Sequence, residues 1–343
     1  MRNVGFGELC GCLRRAPRRV IGGCWREARH AVSAFAQVLW RLFPGAPSNV
    51  QHAVGWLQTN EAPGGGIRIH SGSSKGYAEV TGYLIPTLLR LGQREYAARL
   101  ARWLVSAQRE NGAFADPDCG KDHVFDTAQA LRGLLASQDV VPSANQAAER
   151  AARYLVDQMV DGGAGGFPAA YGGTIPESIH LYALPPLLGA AEFFRQPRWH
   201  ACVAACRDYY LRHESLLDAN STLTHFLGYE IEALIELGQP ALVAGPLEAL
   251  KLRQAPSGAL SATAACSWVC TPGLAQIALC WAKVGMRGPA EAAVTWLRNH
   301  QRRSGGFWGS YGYRSQYFRF QEISWAVKFY LDVELAVDGA AGA

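Results

Sequence analysis

ARWLVSAQRENGAF (101–114) followed by VFDTAQALRGLLAS (124–137) is the stretch whose reading decides the fold. In its first half Ala101, Leu104 and Val105 recur at helical spacing beside Arg102 and Arg109, so it reads as an amphipathic helix that turns at Gln108 and Asn111-Gly112. The second half is apolar on nearly all sides, as a helix buried all round must be. The pair is preceded by HAVGWLQTNEAPGGG (52–66) with YAEVTGYLIPTLLRLG (77–92), and followed by AARYLVDQMVDGGAGGF (151–167) with PESIHLYALPPLLGAAEFF (176–194). Three further copies are CRDYYLRHESLLDANST (206–222) with HFLGYEIEALIELG (225–238), LEALKLRQAPSGAL (247–260) with SWVCTPGLAQIALCWAKVG (267–285), and AAVTWLRNHQRRSGGFWG (292–309) with ISWAVKFYLDVELA (323–336).

A single hairpin of this kind cannot bury its apolar face, so six of them must pack side by side. The expected fold is all-α: an (α/α)6 toroid over 51–338, with six buried inner helices ringed by six amphipathic outer ones. An open solenoid is the alternative, and it would leave the second helices half exposed. Residues 1–50 form a separate basic segment and 339–343 a short tail. CWREARHAVSAFAQVLWRLF (24–43) sets Trp25, Ala28, Val32, Phe35, Leu39 and Leu42 on one stripe beside arginines, an extra N-terminal amphipathic helix. Two readings of that helix stand: it packs on the outer wall of the toroid, or it contacts an anionic lipid surface peripherally.

Charge supports the division. The 343 residues carry a net +5, but eight arginines against Glu8 and Glu27 give the first 50 residues +6, leaving −1 for the other 293. A near-neutral body argues against nucleic acid as a partner. No run of about 18 apolar residues exists to cross a membrane, and the arginines up to Arg41 break any secretory signal. The nine cysteines then read as reduced thiols of a cytoplasmic protein, with the inner membrane surface as the place a lipid-binding leader would put it. Cys202/Cys206 and Cys266/Cys270 are spaced four apart rather than as CxxC, so no metal site is assigned and no cofactor is expected.

WLVSAQRENGAF (103–114), YLVDQMVDGGAGGF (154–167) and WLRNHQRRSGGFWGS (296–310) resemble the repeat of squalene-hopene cyclases and of protein prenyltransferase β subunits. The resemblance spans about six-sevenths of the chain and implies the α/α toroid, a fold also used by six-hairpin glycosidases, polysaccharide lyases, uronyl hydrolases and lanthionine cyclases. HVFDTAQAL (123–131) is similar to the DxDDTA-type segment of class II terpene cyclases, but His123 and Phe125 replace its other acids and only Asp126 matches. Prenyltransferases hold zinc with an Asp-x-Cys segment that is absent here. CSWVCTPGLAQIAL (266–279) looks a little like a lanthionine-cyclase segment, without its Cys-His-Gly partner. GGFWGSYGYRSQYFRFQEISWAVKFYLD (305–332) resembles the last unit of toroids associated with bacterial polysaccharide clusters; its aromatics could equally serve to close the ring.

Parallel inner helices would bring their N-termini and the glycine turns to one mouth. Asp126, Glu177, Glu322 and His225 are the candidate catalytic residues there. Tyr77, Glu79, His123, Gln129, His180, Tyr182, Trp268, Tyr317 and Trp325 are the candidates for holding substrate. Any one acid at a helix start can be a cap that answers the helix dipole. Acids together with histidines and aromatic rings around one cavity fit a sugar site: acids to move protons, rings to stack on sugar faces. The expected function is a glycan-processing hydrolase, lyase or uronyl epimerase acting on an oligo- or polysaccharide. An isoprenoid-handling toroid and a non-catalytic scaffold are the alternatives.

Overall fold

The computed structural model describes residues 48–160, 165–173, 175–213 and 216–339. The expected helix over 24–43 lies outside them. The described chain runs α1 (Asn49–Thr59), α2 (Ala78–Arg90), α3 (Arg94–Ala107), α4 (Val124–Ala136), α5 (Ala144–Gln158), α6 (Leu184–Phe193), α7 (Pro197–Tyr210), α8 (Thr224–Glu236), α9 (Pro240–Arg253), α10 (Thr271–Lys283), α11 (Arg287–His300) and α12 (Ser324–Gly339). The even-numbered helices pack side by side in sequence order, and α12 packs back on α2, so they close an inner ring. The odd-numbered helices pack around it; α11 and α1 both lie against α12. This is the (α/α)6 toroid.

One side chain repeats the lesson of the sequence. Gln108 Nε2 donates to Gly112 O (3.0 Å) and to Ala147 O (2.8 Å), tying the end of α3 to its own turn and to the start of α5. Gln254 does the same with Gly258 and Pro289, and Gln301 with Gly305 and Asn49. Gln301 thereby joins the last unit to the first. The glycine in each turn is required twice over. Gly112, Gly258 and Gly305 have φ of +88°, +86° and +95°, and a Cβ at Gly305 would lie 2.0 Å from His52 O. Glycine also sets the inner ring: a Cβ on Gly133 would sit 2.4 Å from Gly82 O, so α2 and α4 touch backbone to backbone. Ser48 opens α1 with a capping box, accepting from Gln51 N (3.2 Å) while Gln51 Oε1 accepts from Ser48 N (2.8 Å).

Three details depart from expectation. The third inner element starts as a 3₁₀ helix over Glu177–Ala183 and becomes α-helical only at Leu184, because Pro185 and Pro186 lack the N–H that an interior position must donate. Val269–Cys270 and Ser310–Tyr311 pair as a small antiparallel sheet, β1 and β2, across the fifth and sixth units. Above all, the inner helices are buried all round yet not apolar all round. They bury Glu79, Asp126, Glu230, Glu232, Lys328, Asp332 and Glu334. Among the described residues, no helix is long and apolar enough to cross a membrane.

Candidate active site

The inner-helix N-termini do converge, and the first turns of α2 and α4 supply the central pair. Glu79 and Asp126 are 2% and 3% exposed. Burial, and then the Asp126 charge, push the Glu79 carboxyl well above the ordinary range against the hydrogen bonds of Trp325 and Tyr229. Trp325 Nε1, from α12 across the ring, donates to Glu79 Oε1 at 2.9 Å. Asp126 Oδ1 accepts from His123 Nδ1 at 3.2 Å. Burial disfavours the His123 cation, but Asp126, Asp116 and Glu177 outweigh it and raise His123 above its usual range. Two buried carboxyls with different surroundings result: burial favours the proton on Glu79, while Asp126 is backed by a histidine. That division suits general acid and base roles.

A loop between α3 and α4 adds two more acids. Asp116 Oδ1 accepts from Asp118 N (2.7 Å) and Cys119 N (3.2 Å), and burial raises the Asp116 carboxyl despite them. Asp118 accepts from the Tyr77 hydroxyl and pairs with Lys75 Nζ at 3.4 Å. Tyr77 thus stands at the mouth where α2 begins. The third unit contributes Tyr171, edge-on to His123 at 5.8 Å and stacked on His180 at 5.1 Å. His180 is fully buried, and desolvation lowers it to about 3, so it is neutral.

Below Glu79 the ring is lined with aromatics. Tyr229 contacts Tyr182 (4.9 Å), Phe125 (5.1 Å) and His225 (4.6 Å) between ring centroids, and Tyr317 and Trp325 stand 5.8 and 6.1 Å from His225. His225 is lowered to about 3 by burial and bonds Gln276 Oε1 and Tyr229 Oη, each at 3.2 Å. Lys328 Nζ lies over the Phe329 ring (3.7 Å), pairs with Asp332 (3.0 Å) and donates to the Tyr182 hydroxyl (3.3 Å). At the far ends of the inner helices, Lys283 bridges Glu232 (2.8 Å) and Glu236 (2.7 Å), and Arg132 pairs with Glu236 (2.9 Å).

The other expected residues fall elsewhere. Glu177 accepts from the backbone N–H groups of Ala170 (3.1 Å) and Tyr171 (2.9 Å), so it shapes the loop that presents Tyr171. Glu322 accepts from Trp56 Nε1 (2.6 Å) and Ser304 Oγ (2.8 Å) at the seam between the last and first units. Trp268 backs the loop at Gly312, where a Cβ would meet its Cα at 3.1 Å. Gln129 bonds Tyr182 O (3.2 Å) and accepts from Arg132 Nε (3.3 Å), bracing the wall. Lys328 carries no motif, but a lysine inside the mostly apolar ISWAVKFYLD was the available signal.

No known family's profile matches the chain, and no curated protein matches it. Solved structures do. An α-amylase from Clostridium perfringens superposes with a TM-score of 0.65 at 14% identity, over 86% of this chain and 99% of that one. An unsaturated glucuronyl hydrolase specific for heparin gives 0.62 at 12%, over 86% and 97%. A type II terpene cyclase from Scytonema gives 0.56 at 17%, over 85% and 96%. At these identities the likeness speaks for architecture, and it agrees with the ring closure seen directly: the chain has the α/α-toroid fold.

Proposed function

We propose that this toroid is a glycan-processing enzyme (a hydrolase, lyase or uronyl epimerase) whose acid/base pair is Glu79 and Asp126. The single observation that carries the reading is this pair: two buried carboxyls at the inner-helix mouth, Glu79 held by Trp325 and Asp126 by His123. Glu79 would donate a proton to a leaving or exchanging oxygen or carbon. Asp126 would accept one from water or from a sugar carbon, with His123 stabilising its charge. Trp325, Tyr171 and Tyr317 supply faces for sugar stacking. The α-amylase and glucuronyl hydrolase neighbours support the class of substrate by analogy of fold. On this reading His225, Glu177 and Glu322 act through the scaffold and do not meet the sugar.

A second reading is favoured by one observation, the aromatic wall of Phe125, Tyr182, Tyr229 and Phe329. Such a wall fits a prenyl chain. One experiment separates them. The full-length protein is incubated with a panel of neutral and uronate-containing oligosaccharides and, separately, with prenyl diphosphates, and the products are followed by mass spectrometry. Glycan turnover that falls about 100-fold or more in both Asp126→Asn and Glu79→Gln, with melting temperatures unchanged, is the expected result. Turnover of the prenyl substrates alone would replace the first reading with the second.

A further inference from the structure

We propose that the loop joining α11 to α12 is an outer subsite for an acidic polysaccharide, its arginines binding the carboxylate or sulfate groups of a chain whose reacting unit lies at the mouth. That the ligand is a glycan rests on the function proposed above; that it is anionic rests on this loop. Between α11 and α12 stand Arg302, Arg303, Arg314 and Arg319 against one acid, Glu322. Glu322 is already engaged: it accepts from Trp56 and Ser304, and Arg302 Nε stands 3.8 Å from it. Among the described residues Arg303, Arg314 and Arg319 form no ion pair, and the Arg319 Nε–H has no acceptor. Three of the four positive charges are therefore not spent on holding the fold, in a body that is otherwise near neutral.

These arginines are interleaved with aromatic rings. Arg302 lies over the Trp308 ring (4.1 Å), Trp308 meets Phe320 edge-on (5.2 Å), and Arg319 lies over Phe320 (4.7 Å), so four side chains make one row. At the tip of the loop Arg314 lies over Tyr313, which is 62% exposed. The backbone fixes the row: bridges pair Trp308 with Glu322 and Ser310 with Arg319, and Gly309 N donates to Gln321 O at 3.0 Å. Phe318 then turns inward, 1% exposed, while Phe320 turns outward, 40% exposed. Both hold positive φ, +43° and +65°, a conformation that disfavours phenylalanine.

The inward ring ties the row to the mouth. Phe318 meets Tyr317 at 5.1 Å and Trp325 at 5.6 Å, and Trp325 donates to Glu79. A sugar chain leaving the mouth past Tyr317 meets the row next, where rings pack on sugar faces and guanidinium forks take carboxylates or sulfates. Asp116 and Asp118 belong to the loop of the second unit, so the acids of the mouth and the arginines of the row occupy different units. Single-stranded nucleic acid also uses arginines with aromatic rings. Continuity of the row with the mouth favours the glycan.

The test is isothermal titration calorimetry on the full chain at low salt with polygalacturonate, its fully methyl-esterified form, heparin and poly-dT. At least one acidic glycan is expected to bind about 10-fold or more tighter than the uncharged ester, and added salt should close the gap. Arg319→Gln should weaken that binding about 2- to 5-fold. Phe320→Gly, which removes the ring where glycine is at ease, should weaken it about 2- to 10-fold. Neither should lower the melting temperature, and Asp126→Asn should bind as the wild type does. Failure of both acidic glycans to bind, an ester that binds equally well, tighter binding of poly-dT than of either glycan, or unchanged affinity in both row variants would each overturn the proposal. Should the variants not fold, the wild-type comparison of acid, ester and poly-dT decides alone. None of these readouts needs turnover, so a failure here is distinct from a failure of the Glu79 and Asp126 assignment.

Discussion

Replacing Glu230 by glutamine should change stability with pH in a way the structure lets one calculate. Glu230 on α8 is fully buried; it accepts from the Ser178 hydroxyl and from Leu217 N (2.9 Å). Leu217 sits at φ +61°, a strained conformation for a leucine, so this carboxyl fastens a difficult turn. Burial raises Glu230 from its ordinary 4.5 to about 7, with the two hydrogen bonds opposing. A carboxyl raised in the folded state contributes most below its unfolded value, and that contribution is lost as pH rises toward the folded one. A shift from 4.5 to about 7 corresponds to about 3 kcal/mol at full development, of which about 2–3 kcal/mol falls between pH 5 and 8. Glutamine does not titrate and can keep both contacts, its oxygen accepting from Leu217 and its amide donating to Ser178. Urea denaturation of both proteins across pH 5–8 should therefore show Glu230→Gln gaining on the wild type by about 2–3 kcal/mol toward pH 8. A stability difference that stays flat with pH would refute the reasoning, whatever its size.

Other expectations are simpler. Gly133→Ala forces a Cβ to within 2.4 Å of Gly82 O and should cost about 1–3 kcal/mol or more in urea, because α2 and α4 must separate. Gly189→Ala, whose nearest contact would be Leu135 Cδ1 at 3.8 Å, should instead gain up to about 1 kcal/mol from helix propensity. Gln301→Ala removes the bonds to Asn49 O and Gly305 O that join the last unit to the first; the expected loss is about 1–3 kcal/mol, with faster proteolysis at the seam. Trp325→Phe withdraws the N–H that opposes protonation of Glu79, so the Glu79 titration followed by NMR should move to higher pH.

The architecture was legible because it is repetitive. The glutamine and glycine of WLVSAQRENGAF and WLRNHQRRSGGFWG mark the same turn in distant units, and each glutamine makes the same two bonds. Asp126, Glu79, His123 and Trp325 could be placed at the mouth because each lies in or beside the first turn of an inner helix. Depth along those helices was not legible. Glu230 and Glu232 are two residues apart, yet one holds a loop and the other accepts from Gln276. Glu322 likewise sits two residues before a helix, and only the seam contact with Trp56, 266 positions away, reveals that it serves closure. The apolar character of the inner helices also concealed their buried charges, which pair across the ring between residues such as Arg132 and Glu236 that sequence spacing cannot relate.

The central claim is that Glu79 and Asp126 flank the reacting sugar. It is tested most directly by a crystal structure of Asp126→Asn with an oligosaccharide turned over by the wild type. A sugar ring lying between residues 79 and 126 and stacked on Trp325, Tyr171 or Tyr317 is the predicted result. A sugar bound away from both residues, with Glu79 still enclosed by Trp325 and Tyr229, would contradict it.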